Sequence, residues 1–161
     1  MIKRMQKGFT LIEVLIAVIV LGIGLTGMAG LQIVSLRGSQ QAYQRTQATI
    51  YAYDVLDRMR ANVVATRNGD YDTAIDDDTS ALELCFGASA NCTPAEFADH
   101  DRRQWRTELA NQLGGGVGSI GTVTASGETV VTINVRWIES DAAVDGNGDA
   151  IPQQLNLTVN L

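Results

Sequence analysis

Apolar positions in this chain fall into three patterns, and each pattern predicts an element. From Phe9 to Leu31 the run is apolar all round, broken by one charge, Glu13. At about 1.5 Å rise per residue such a helix is long enough to cross a bilayer core of about 30 Å. Next, Ala48, Ala52, Val55, Leu56, Met59 and Val63 recur at steps of three and four. Arg45, Asp54, Asp57 and Arg58 lie beside that stripe. This spacing gives one apolar face on a helix. The first proline is Pro94, so one helix is expected from about Phe9 to about Asn62, on the order of 80 Å long. From Thr122 the period drops to two. Val131, Ile133, Val135 and Trp137 alternate with polar neighbours, as do Leu155, Leu157, Val159 and Leu161. Those are half-buried strands. A shorter strand around Gly121–Ser126 precedes a Ser126-Gly127 turn, which makes a three-stranded antiparallel meander.

Between the long helix and the strands, Arg67 through Asp72 is rich in turn residues and ends the helix. Thr93-Pro94-Ala95-Glu96 is a helix start, with a capping hydroxyl, proline at the first position and a glutamate to close a capping box. Phe97, Trp105, Leu109 and Leu113 give that second helix an apolar side, and Gly114-Gly115-Gly116 ends it. The fold class expected is α+β: a long helix, apolar in its first half and amphipathic in its second, packed on a small antiparallel sheet with one short extra helix. Its divisions are a leader at 1–8, an apolar span at 9–31, an amphipathic continuation at 32–62 and a globular head at 63–161.

Charge then narrows the function. The formal net charge is −6, and the charges before Phe9 are all basic: Lys3, Arg4 and Lys7. An acidic body lacks the basic footprint that nucleic acid requires. The basic cluster ahead of an apolar span orients the N-terminus to the cytoplasm and the head outside it. Cys85 and Cys92 then occupy a compartment where thiols oxidise, and they are expected to pair. With no third or fourth ligand nearby they make a poor zinc site. No catalytic constellation accompanies the single His100, which reads as an exposed helix residue among charges, so no enzyme activity is expected. Asp76-Asp77-Asp78 reads as a solvated loop. Asp145, Asn147 and Asp149 match the opening of a calcium loop. Ala150 then stands where that loop needs glycine, and Asn156 where it needs a bidentate glutamate. A Gly/Asn/Asp turn without metal is the preferred reading. No cofactor is expected.

Glu13 is the residue that a plain anchor does not explain. A carboxylate in a spanning helix costs roughly 2.5–3.5 kcal/mol on insertion scales. An ordinary signal peptide cut after Ala29 leaves it equally unexplained, and its apolar core is longer than a signal peptide needs. A cut after Gly8 would place a new α-amine on Phe9, four residues before Glu13. On a helix those positions share a face, so cation and acid can neutralise each other within a chain or between chains. Gly22, Gly24, Gly27 and Gly30 fit close helix packing. A segment that loosens during assembly is the alternative.

Lys7-Gly8-Phe9-Thr10-Leu11-Ile12-Glu13 after a basic leader resembles the signature of type IV prepilins and the related pseudopilins. The resemblance implies cleavage between Gly8 and Phe9 by a membrane peptidase that also methylates Phe9, with Glu13 as the acid that docks a subunit into a filament. The stretches Gln41–Ala48 and Ala52–Asn62 are similar to the PilV minor pilins, the type IV pilus modification proteins. So are Cys92–Glu96 through Trp105, and Val135-Arg136-Trp137. That resemblance implies a low-abundance, non-enzymatic subunit acting in pilus initiation and assembly, with effects on adhesion and twitching. Its partners would be the prepilin peptidase/N-methyltransferase, other minor pilins, the major pilin, the inner-membrane assembly platform and, before assembly, membrane lipid, with no nucleic acid. It would be a single-pass inner-membrane protein with a periplasmic head, then part of the pilus fibre. A minor pseudopilin of a type II secretion system and a secreted binding domain behind a signal peptide are the alternatives.

Overall fold

The computed structural model describes residues 8–77, 85, 91–139 and 142–161. The leader before Gly8 and Asp78 of the acidic run lie outside the described residues. The chain divides into two compact units, 1–41 and 42–161. Helix α1, Leu11–Ala61, runs through the division.

In the first unit α1 is exposed along nearly its whole described length. Large apolar side chains from Leu11 to Leu36 remain open to solvent, with Leu11 84% and Leu31 73% exposed. A Cβ added at Gly22, Gly24, Gly27 or Gly30 would meet nothing within 4 Å. The hydroxyl of Thr26 donates to the Gly22 carbonyl at 2.9 Å, so this polar group is satisfied within the helix itself.

The second unit holds the core. The final turns of α1 are followed by α2 (Val63–Asn68), α3 (Pro94–Gln112), and strands β1 (Val117–Ala125), β2 (Glu128–Trp137) and β3 (Gln153–Asn160). The sheet is antiparallel in the order β1-β2-β3. Ser126 (φ 53°) and Gly127 (φ 86°) make the β1–β2 turn, the conformation that lets a two-residue loop follow the strand twist. Ala48, Ala52, Val55, Leu56 and Met59 of α1 join Trp105 and Leu109 of α3 and Val131, Ile133, Val135 and Trp137 of β2 in one buried cluster. Leu155, Leu157, Val159 and Leu161 pack against it half-buried. Each large side chain buried here contributes roughly 1.5–3 kcal/mol.

The long helix, Leu11–Ala61, has its expected bounds to within two residues. Three expectations are corrected. After a break at Asn62 (φ −120°, ψ 60°) the chain continues into a short second segment, α2. The break leaves few polar groups unmet: the buried Thr66 hydroxyl donates to the Met59 carbonyl at 2.8 Å, and the Asn62 amide to the Pro94 carbonyl at 2.7 Å. Because the chain turns there, Val63 is exposed and Ala65 takes its expected place in the core. Strand β1 starts at Val117, before the expected Gly121. Its Gly118 has no side chain for a periodic pattern to register, and that face is filled by Trp105 instead. His100 is buried at 5% exposure, with its ring 6.4 Å from that of Phe97. Nearness in sequence to charged residues does not decide which side of α3 a residue occupies.

Candidate functional site

The motif residues lie at the start of α1. Gly8, Phe9 and Thr10 precede the helix, and all three are exposed. The Thr10 carbonyl accepts the N–H of Glu13 at 3.1 Å and of Val14 at 3.4 Å, which starts the helical ladder. Glu13 therefore stands in the first turn, where the positive end of the helix dipole favours an acid. Helical geometry does not place Phe9 beside it, because Phe9 is outside the helix. Among the described residues Glu13 makes no ion pair. A carboxylate at the head of a long exposed apolar helix can accept a cation from elsewhere.

The cysteines are joined: Cys85 and Cys92 form a disulfide with Cα atoms 5.7 Å apart. It ties down the residue just before the α3 cap. There the Thr93 hydroxyl accepts the Glu96 N–H, while Glu96 Oε2 accepts the Thr93 N–H at 2.7 Å and its hydroxyl at 2.9 Å. The hydrogen bonds from the Thr93 backbone and hydroxyl hold the Glu96 carboxyl below its ordinary range. This is the capping box expected from sequence.

Asp145 is engaged by its own turn. One of its carboxylate oxygens accepts the N–H of Asn147 at 2.8 Å and of Asp149 at 3.0 Å. Those backbone donors, Asp149 first, hold its carboxyl below the usual range. Gly148 (φ 91°) closes the turn, and Val144 bridges Ala150. Hairpin chemistry accounts for Asp145, Asn147 and Asp149. Among the described residues no group of three or more His, Cys, Asp and Glu side chains converges to hold a metal ion.

Two polar arrangements in the second unit have no signal in the sequence. Arg106, only 6% exposed, donates to the carbonyls of Ala74 and Gly118, both at 2.6 Å, Ile75 at 3.1 Å and Asp77 at 2.5 Å. Asp77 itself caps the turn, accepting from the Thr73 hydroxyl at 2.8 Å and the Ala74 N–H at 2.9 Å. Those hydrogen bonds, Thr73 first, lower its carboxyl. The second arrangement centres on Tyr71, fully buried, whose hydroxyl donates to Asp101 at 2.8 Å. Burial and then the Asp101 hydrogen bond push the Tyr71 phenol well above its ordinary value. Arg58 lies 3.5 Å from Asp101, 2.9 Å from Asp54 and 3.5 Å from Glu108. These contacts fix loops and helices against one another. None of them presents a nucleophile beside a base.

Comparison with known proteins agrees with this placement. Residues 3–29 match the family described as the prokaryotic N-terminal methylation motif, and residues 30–103 match type IV pilin Tt1218. The pilin-like protein PilA2 of Thermus thermophilus is 29% identical over 155 residues, covering 89% of this chain and 76% of that protein. No solved structure matches. The methylation motif, the pilin match that adjoins it and the α+β architecture together support a type IV pilin-like chain, a structural subunit rather than an enzyme.

Proposed function

We propose that this chain is a minor pilin of the PilV type that helps start and build type IV pili. The observation that carries the reading is the run Gly8-Phe9-Thr10-Leu11-Ile12-Glu13 at the head of a helix whose apolar side chains stay exposed. Prepilin peptidase cuts between Gly8 and Phe9 and methylates Phe9. Before assembly the apolar part of α1 resides in the inner membrane, with the N-terminus cytoplasmic and the head periplasmic. On assembly that part leaves lipid for a filament and packs against the helices of the major pilin and other minor pilins at the assembly platform. Glu13 then meets the Phe9 amine of a neighbouring subunit. A desolvated acid needs a counter-charge, so the pair favours one register over its neighbours. Among pilins, the segments Gln41–Ala48 and Ala52–Asn62 support the PilV assignment.

N-terminal sequencing of the mature protein tests the processing step. Methylated Phe9 is expected at position one, and a chain starting at Gly30 would refute it. Glu13→Ala should leave cleavage intact and impair piliation; normal piliation in that variant defeats the docking role. Deleting the gene and scoring surface pili beside exported enzymes tests the pathway. Loss of pili with export intact is expected, and the reverse assigns the chain to secretion.

A further inference from the structure

Glycine follows an aspartate or asparagine at three places: Asn68-Gly69, Asp145-Gly146 and Asn147-Gly148. Such pairs carry their own chemistry. With no side chain on the glycine, its backbone nitrogen can reach the carbonyl carbon of the preceding side chain and close a five-membered ring. The fold treats the three pairs differently.

Asn68 is the last residue of α2. The Gly69 N–H (φ 80°) donates to the Thr66 carbonyl at 3.1 Å, and the Asp70 N–H to the Ala65 carbonyl at 3.0 Å. These paired bonds close the helix end, and Ala65 and Thr66 are both buried. Rotating the backbone at Asn68 toward ring closure undoes that cap. Asp145 is protected by charge. One of its oxygens accepts the N–H groups of Asn147 and Asp149, which favours the ionised acid, and a carboxylate is a poor electrophile. Asn147 has neither protection. It is exposed in the turn before β3, and its carboxamide makes no hydrogen bond among the described residues. The Gly148 N–H is held by the Asp145 carbonyl alone, at 3.1 Å. Turning that nitrogen toward the Asn147 side chain breaks only turn contacts open to water, which lie at the low-stability end of a fold.

We propose that Asn147 is a site of spontaneous deamidation, with the Gly148 nitrogen as nucleophile and water as co-reactant. The nitrogen gives up its proton to solvent and attacks the side-chain carbonyl carbon of Asn147. A new C–N bond forms, the carboxamide C–N bond breaks, and its nitrogen leaves as ammonia with a proton from solvent. One water then opens the cyclic imide. Breaking the bond to the side-chain carbon gives aspartate, and breaking the bond to the backbone carbon gives isoaspartate. The net change is one water taken up and one ammonia released, with no change in oxidation state. Either product adds one negative charge between Asp145 and Asp149 to a chain whose formal net charge is −6. Isoaspartate also lengthens the main chain by one carbon. The turn it lengthens leads into β3 through the Val144–Ala150 bridge and the Ile151 N–H bond to the Ala143 carbonyl at 2.7 Å. Because no enzyme is needed, the extent of conversion records the time since synthesis.

Incubating the full folded chain in detergent micelles for days at mildly alkaline pH tests this. Peptide mapping reads the acid and isoaspartate at each pair, with released ammonia measured alongside, and a sample in urea gives the rates without structure. In the folded chain Asn147 is expected to convert about tenfold faster or more than Asn68 or Asp145, whereas in urea the two asparagines convert at similar rates. Asn147→Gln keeps the amide but disfavours the five-membered ring. It should abolish the acidic shift on isoelectric focusing and leave the thermal unfolding curve unchanged. A folded chain that keeps Asn147 intact throughout overturns the proposal. So does conversion of Asn68 or Asp145 at the same rate in the folded chain, or an acidic shift that Asn147→Gln retains.

Discussion

Replacing Gly118 by alanine is expected to loosen the head by about 2 kcal/mol. A Cβ there would sit 2.8 Å from both Trp105 Cζ3 and Leu109 Cδ1, and closer still to Trp105 Cη2. Those separations are far inside van der Waals contact, so something has to move. The indole cannot retreat freely, because Trp105 is fully buried and its Nε1 donates to the Tyr51 carbonyl at 2.9 Å. Forcing an extra carbon into such packing costs typically ~1–3 kcal/mol. If the ring swings away, the loss of its hydrogen bond costs about 1 kcal/mol more. Against this, alanine restricts the unfolded chain and returns roughly 0.4–1 kcal/mol. The net is a loss of about 2 kcal/mol. Urea unfolding of the full chain in detergent, followed by tryptophan fluorescence, reads it directly, since Trp105 and Trp137 both lie in the core. The midpoint should fall while the slope stays constant. Gly121→Ala is the control: its new methyl meets nothing within 4 Å, so it should be neutral or stabilising by up to about 1 kcal/mol. Equal effects for the two glycines would show that Trp105 does not require Gly118.

Arg106→Met keeps the apolar length of the side chain but strips the carbonyls of Ala74, Ile75, Asp77 and Gly118 of a donor. A loss of about 1–3 kcal/mol is expected from the buried acceptor left unpaired, with faster hydrogen exchange at Thr73 and Ile120 than elsewhere in the sheet; uniform exchange would argue that the loop holds without the guanidinium. Because the Tyr71 phenol is raised by burial and by Asp101, its stabilising contribution is intact below about pH 10 and is lost as pH rises from there toward the folded value. Tyr71→Phe should flatten that alkaline fall in a pH series of melting curves, and an unchanged slope would remove Tyr71 as its source. Thr93→Ala opens the capping box and should cost about 1 kcal/mol, read as a lower urea midpoint; an unaltered midpoint would mean that the disulfide at Cys92 alone fixes the start of α3.

The elements legible in the sequence follow from local rules. The apolar run after Gly8, the Thr93-Pro94-Ala95-Glu96 cap and the two-residue alternation in β2 and β3 each need only near neighbours, and each is an element of the structure. The features that escape such rules all depend on distant residues. Asn62 ends α1 where an amide finds the Pro94 carbonyl, and nothing near Asn62 in sequence announces that acceptor. The charged neighbours of His100 suggest a solvent-facing residue, yet the face of α3 is set by what Trp105 and Leu109 must bury. Nothing near Arg106 in sequence signals its burial, and its carbonyl partners lie on a loop about thirty residues earlier and on β1. For the candidate site the balance is different. Glu13 stands out because a charge in an apolar run conflicts with its surroundings, and that conflict is visible without any fold. Its counter-charge is not, since Phe9 precedes the helix and no ion pair reaches Glu13 among the described residues.

The face of α1 from Ala48 to Met59 is made early in the chain, but the strands that cover it come last, from Glu128 to Asn160. During synthesis those alanines, Val55 and Leu56 wait uncovered while most of the head is still being added. Distant pairing of this kind is slow and leaves apolar surface open to wrong partners. A ribosome stalled before β2 would therefore release a chain with a formed helix and no head, a ready substrate for proteases. Quality control on this protein would act at its C-terminal strands, although the methylation motif is at the other end.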